Sequence, residues 1–287
     1  MGSTPPHPFA EGPHNVPEYL PPQPGDGYGY APPPLPRRAR RGWVSAPATY
    51  FLIGVNVAVF VLMTLRGVSP ISPEPEQLLH WGADHAGLVL LGGEWWRILT
   101  AMFVHVGILH LATNMWCLWN LGLLAEPLMG SVGVIAVYLL TGAAGNLLSI
   151  AHNFIWPIQD NVYPVGAGAS GAVFGIAGAL IVLLKSPRLP VPPEDLKKLR
   201  RSVITFAAIN LVIPFAVNYG AEAVHAGLQI DYMAHVGGVA CGLLFAVPMV
   251  PRLGSPRGLF TMRLQTAIGI VTGLVVLFGF FLAQLPR

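Results

Sequence analysis

Seven apolar stretches, separated by turn-forming or charged residues, run through this chain from about residue 48 to 283. They cover about 48–65, 107–125, 132–153, 170–185, 203–219, 233–250 and 264–283. Each approaches the roughly 20 residues a helix needs to cross the hydrocarbon core of a membrane. The pattern predicts an all-α polytopic membrane protein. Several stretches are interrupted by Gly, Asn, His or Ser, which predicts burial within a helix bundle rather than contact with lipid all round. Ahead of the first stretch, residues 1–42 carry many prolines and glycines and few large apolar residues. Such a segment buries too little surface to offset its ordering entropy, and a disordered tail is expected there. Residues 66–96 form a long loop whose apolar and aromatic content, with Trp81, Trp95 and Trp96, suits the headgroup region.

Composition agrees with that pattern. The chain has 287 residues, 53% hydrophobic and 10% charged, and its mean hydropathy is +0.58. Soluble domains carry about a quarter charged residues. The net charge of +3 is not a nucleic-acid footprint, because the basic residues fall between the spans. With the N-terminus in the cytoplasm, thirteen of the sixteen Lys and Arg lie on the inside, leaving Arg66, Arg97 and Arg287 outside. The positive-inside rule favours that topology, which places the C-terminus outside. A multi-pass protein of a bacterial plasma membrane is the expected location. Cys117 and Cys241 both lie in apolar stretches and read as buried small hydrophobes.

Two strings carry candidate chemistry. Gly168-Ala169-Ser170-Gly171 opens the fourth stretch and Ala234-His235-Val236-Gly237-Gly238 the sixth. A serine hydroxyl is a weak nucleophile until a base takes its proton, and an imidazole can be that base. The topology puts Ser170 and His235 in the same, outer leaflet. Gly171 and Gly175 on one span, and Gly238 and Gly242 on the other, have the small-xxx-small spacing that lets helices approach closely. Taken singly, the first string also reads as a packing patch and His235 as a structural histidine. His105, His110 and Asn114 stand at the outer end of the second stretch. His110 and Asn114 are four apart and share a helix face, so both can donate toward a developing oxyanion. Interhelical hydrogen-bonding is the alternative for each.

These residues together resemble the rhomboid intramembrane serine proteases. The match is carried by Glu94-Trp95-Trp96-Arg97, His105 with His110 and Asn114, Gly168-Ala169-Ser170-Gly171, and Ala234-His235 followed by Gly238 and Gly242. It covers about residues 48–250. The resemblance implies a six-helix rhomboid core with Ser170 as nucleophile and His235 as general base. It implies an oxyanion hole from His110, Asn114 and the Ser170 backbone N–H, and a structural role for Glu126. The expected division is a cytoplasmic tail over 1–42, the core over 43–250, and a linker with a seventh, C-terminal transmembrane helix over 251–287.

The implied activity is endoproteolysis of single-span membrane proteins near their outer ends, amid membrane lipid, with no cofactor, no metal and no nucleic-acid partner. Small residues at the cut and helix-weakening residues below it are implied for the substrate. Phe174 stands where family members carry Tyr or Phe one turn after the serine. Asp231, four residues before His235, reads either as an acid orienting the imidazole or, more simply, as a solvated residue at the helix start. Two competing functions are an inactive rhomboid-like protein that binds transmembrane helices, and a transporter. An intact Ser170 and His235 argue against the first. The absence of an obvious inverted repeat argues against the second.

Overall fold

A computed structural model describes residues 46–157, 163–185, 192–220, 231–252 and 256–285, with side chains left out for 213–220 and 251–252. The chain divides into two units, residues 1–41 and 42–287. The first lies outside the described residues, as does the expectation of disorder in the tail.

The second unit is a bundle of apolar helices with one very small sheet. Helix α1 (Pro47–Leu65) starts with proline at its first position, where the missing N–H costs nothing, and ends before Gly67 at φ +90. The loop after it folds into α2 (Pro75–His80), a two-residue strand β1 (Asp84–His85), α3 (Ala86–Leu90) and α4 (Arg97–Thr100). Helix α5 (Ile108–Ile155) is two helices joined at Gly130, whose φ of +72 suits glycine. The second and third apolar stretches are therefore parted by a one-residue break, not by a turn over 126–131. His110 on the first half and Gly145 on the second both lie beside the segment around Ser170 and α8, so the halves fold back on one another.

Strand β2 (Val165–Gly166) pairs antiparallel with β1, Asp84 opposite Gly166. Helix α6 (Ser170–Leu183) follows, and every residue from Gly171 to Leu180 is buried, as a central helix apolar on all faces should be. Helix α7 (Pro193–Gly220) begins ten residues before the predicted span. Its charged start, Glu194 to Arg201, is helix that lies outside the apolar stretch. Helix α8 (Tyr232–Ala246) passes into a 3₁₀ turn over 247–252 that contains Pro248 and Pro251, which cannot donate to an α-helical ladder. Helix α9 (Arg257–Ala283) is long and apolar enough to cross a membrane, and it packs through Leu264, Ala267, Val271 and Leu282.

Polar ties fix the bundle at both ends. Glu126 on α5 accepts the Ala48 and Thr49 N–H groups at 2.9 Å each, the Thr49 hydroxyl at 2.7 Å and the Ser131 hydroxyl at 2.6 Å. It thereby satisfies two orphan donors at the start of α1. Arg97 donates to the Leu79 and Ala83 carbonyls at 2.6 and 2.9 Å and pairs with Glu94 at 2.7 Å, holding the long loop to α4. Asn146 donates to the Ile98 carbonyl at 2.8 Å. Tyr138 receives Asn56 Nδ2 at 3.0 Å and donates to the Met102 carbonyl at 3.2 Å.

Candidate active site

The loop ahead of α6 is built to present Ser170. Gly168 has φ +131, and its N–H donates to the Ala101 carbonyl at 2.9 Å. A Cβ there would stand 2.6 Å from Cε1 of His110, so only glycine lets that ring lie over the loop. Beneath it, His105 is wholly buried. Its Nδ1 lies 3.3 Å from the Phe103 carbonyl and its Nε2 3.5 Å from the Ala169 N–H. A neutral ring protonated on Nδ1 satisfies both contacts.

Ser170 is the first residue of α6, so its N–H is one of the helix's unpaired donors at the positive end of the helix dipole. Helix α8 reaches α6 backbone to backbone. A Cβ on Gly238 would stand 2.9 Å from the Gly171 carbonyl carbon, and one on Gly242 2.8 Å from that of Gly175. On the opposite flank, a Cβ on Gly175 would overlap Thr141 of α5. Two helices, α8 and α5, therefore pack on α6 at these glycines with no room for larger residues.

Ser170, His235, His110 and Asn114 all line one cavity of about 420 Å³. Helix α7 contributes Phe206 and Asn210 to its wall, and Cys117 joins them from α5. The imidazole of His235 is stacked on Phe174, centroids 4.2 Å apart and planes 12° from parallel; Phe174 in turn stacks on Phe206 at 5.8 Å. No direct hydrogen bond joins Ser170 to His235 among the described residues. Such bonds are often long in an empty site and tighten when substrate arrives. Among the described residues, Nδ1 of His235 and Nδ1 of His110 are buried without hydrogen-bond partners. Asn114 Nδ2 donates to the His110 carbonyl at 2.9 Å.

Asp231 does not reach the imidazole, and it is not a freely solvated residue either. It caps α8, accepting the Ala234 N–H at 3.0 Å and the Ser149 hydroxyl at 2.5 Å. Burial raises its pKa in spite of these bonds. Asp84, which no motif singled out, also belongs to the site's frame. Its side chain is 1% exposed and lies so close to Gly166 that a Cβ there would collide with it. Gly166 lines the cavity, so Asp84 supports that wall from behind. Burial, with Asp231 nearby, pushes the Asp84 pKa well above the usual carboxylate range, against the Gly166 N–H and Arg97. An acid in the otherwise apolar Trp81-Gly82-Ala83-Asp84 run was the available signal. Among the described residues, no three His, Cys, Asp or Glu side chains converge as a metal-ligand set would.

A serine at a helix N-terminus, a stacked histidine on a neighbouring glycine-lined helix and a His–Asn pair on a third thus share one cavity in an apolar bundle. The model of the Rhomboid domain matches residues 92–252, more than half of the chain, and the protein belongs to the rhomboid family. It is 34% identical over 224 residues to rhomboid protease GluP of Bacillus subtilis (strain 168), covering 78% of this chain and 38% of that one. It is 27% identical over 223 residues to rhomboid protease AarA of Providencia stuartii, covering 74% of this chain and 76% of the relative. With rhomboid-like protease 2 of Toxoplasma gondii the identity is 28% over 191 residues, 66% of this chain and 60% of the relative. The chain thus spans well under half of the first of these relatives and about three quarters of the second.

Proposed function

We propose that the chain is an intramembrane serine endopeptidase that cleaves transmembrane segments of membrane proteins through a Ser170–His235 dyad. The observation that carries this reading is the convergence of Ser170, His235, His110 and Asn114 on one cavity. In the proposed reaction His235 takes the Ser170 proton as the hydroxyl attacks the scissile carbonyl. The carbonyl oxygen becomes negative and is held by the Ser170 N–H, His110 and Asn114. The imidazolium then protonates the leaving amine. A water deprotonated by His235 hydrolyses the acyl-enzyme.

Among the described residues, no carboxylate backs the imidazolium. Its support is the Phe174 face, a cation–π contact of about 0.5–2 kcal/mol. Substrates are single-span proteins cut near their outer ends, where a helix must first unwind to expose its carbonyls. The N-terminus is cytoplasmic, the catalytic core covers 43–250, and α9 lies beyond it. Labelling of the purified protein by a fluorophosphonate probe tests the reading: wild type should label at Ser170, and Ser170→Ala should neither label nor cleave a model transmembrane substrate. Cleavage retained by a folded Ser170→Ala above a few per cent of wild type would overturn it.

A further inference from the structure

The first turn of α8 is gripped by one face of α5. Ser149, wholly buried, donates to Oδ2 of Asp231 at 2.5 Å and receives Asn153 Nδ2 at 3.2 Å. One residue along, the Tyr232 hydroxyl meets Nε2 of His152 at 3.1 Å, their rings edge to face at 5.7 Å. Residues 149, 152 and 153 are three and four apart, so they share a helix face. Oδ1 of Asp231 meanwhile caps the helix at Ala234, the residue before His235. Among the described residues, Nδ1 of His235 has no side-chain partner. The ring's place is set by the stack on Phe174, by the Asn210 backbone of α7 and by the rotation of α8 itself. A side chain about 6 Å from a helix axis moves about 1 Å when the helix turns by roughly 10°.

We propose that Asp231 is a positioning residue for the base: tied to Ser149 on α5, it fixes the rotation of α8 and hence the imidazole of His235 against Ser170. It acts through the helix and not through the ring, unlike the acid of a catalytic triad. The inference rests on the Ser–His reading of the site.

The test uses the full chain in detergent, comparing wild type with Asp231→Ala, Asp231→Asn, Ser149→Ala and the Asp231→Ala/Ser149→Ala double variant. Fluorophosphonate labelling rate, kcat and KM on a model transmembrane substrate, and thermal stability are measured for each. A misplacement of about 1 Å costs about 10²-fold, so Asp231→Ala should lose about that factor in kcat and labelling rate, with KM unchanged. Asn keeps an oxygen for the Ala234 N–H and can donate to Ser149, so Asp231→Asn should recover most of the loss. The double variant should be no slower than Asp231→Ala, since both changes break one tie.

Unchanged kcat in folded Asp231→Ala would overturn the proposal. So would a loss confined to KM, which would make Asp231 a substrate contact on the cavity wall, or losses that multiply in the double variant. Should Asp231→Ala fail to fold, Ser149→Ala leaves the cap intact and decides the matter: wild-type kcat there would also overturn the proposal. A wild type that does not label would sink the Ser–His reading itself, and this proposal with it.

Discussion

Replacing Gly238 by alanine tests the packing that brings the two halves of the proposed dyad together. The new methyl would lie 2.9 Å from the Gly171 carbonyl carbon and closer still to its oxygen, where ordinary contact begins at 3.4 Å. Both partners are backbone, so no side chain can swing aside; α8 must withdraw from α6 by on the order of 1 Å. Gly171 follows Ser170 directly, and Gly238 lies one turn beyond His235, so the withdrawal falls on that pair. Overpacking of this kind costs about 1–3 kcal/mol of stability. A shift of about 1 Å between reacting groups costs about 10²-fold in rate.

The assay is turnover of a model transmembrane substrate in detergent, with a thermal melt of the same preparation. Gly273→Ala on α9 is the control, because no heavy atom lies within 4 Å of a Cβ there. It should leave turnover unchanged and should not destabilise. Gly238→Ala with wild-type turnover and stability would show that α6 and α8 do not meet backbone to backbone, and the account of the site's geometry would fall.

Other expectations follow from single contacts. Asn114→Ala should lower kcat by about 10²–10³-fold without abolishing cleavage, as loss of one oxyanion donor does; a change confined to KM would refute that role. Glu126→Ala strands the N–H groups of Ala48 and Thr49 and should cost roughly 2–4 kcal/mol of stability, measured by thermal melts. For Asp84, the folded pKa is raised, chiefly by burial. Its contribution to stability is therefore fully present below the unfolded pKa and is lost as pH rises through the folded one. Asp84→Asn should remove that part of the decline in melting temperature; an identical pH slope in the variant would contradict the assignment. A chain starting near Trp43 should keep nearly all of its turnover in detergent, since every proposed catalytic residue lies downstream. Loss of turnover in a folded truncation would give the tail a part in catalysis.

Where an apolar stretch and a helix coincide, the sequence sufficed. α1, α6, α8 and α9 each begin within a few residues of their predicted spans or extend them by a turn or two, and the small residues at 171, 175, 238 and 242 do mark the contact of α6 with α8. The hydropathy pattern records where a chain meets lipid, not where a helix ends. Thus the charged start of α7, from Glu194 to Arg201, falls between apolar stretches although it is helical. Two residues are too few to show strand alternation, so β1 and β2 were invisible. The His110–Asn114 pair was legible because both sit on one helix, whereas the Ser149–Asp231 bond joins residues 82 apart. The acid therefore suggested either an imidazole partner or solvent, and found neither.

The distribution of unsatisfied polar atoms points the same way as the cavity. Folded proteins leave very few buried polar atoms unpaired, and each orphan costs about 1–3 kcal/mol. Away from the cavity, buried Asn56, Arg97, Glu126 and Asn146 all have their partners. The buried side-chain atoms left without one are Nδ1 of His110, Nδ1 of His235, Oδ2 of Asp84 and Nε of Arg263, among the described residues. Two of these four belong to side chains on the cavity, and the third stands behind its wall. Arg263 aside, the bundle satisfies its polar groups elsewhere and leaves them unpaired beside the cavity where, in the proposed reaction, an unwound peptide would arrive. Such a peptide brings N–H and C=O groups that have just lost their own helical partners. In lipid neither side has water to turn to, so each is the other's best available partner. In the proposed function, exchanging orphans on both sides for bonds between them would favour binding of an extended segment over an intact helix, the discrimination that the proposed cleavage requires.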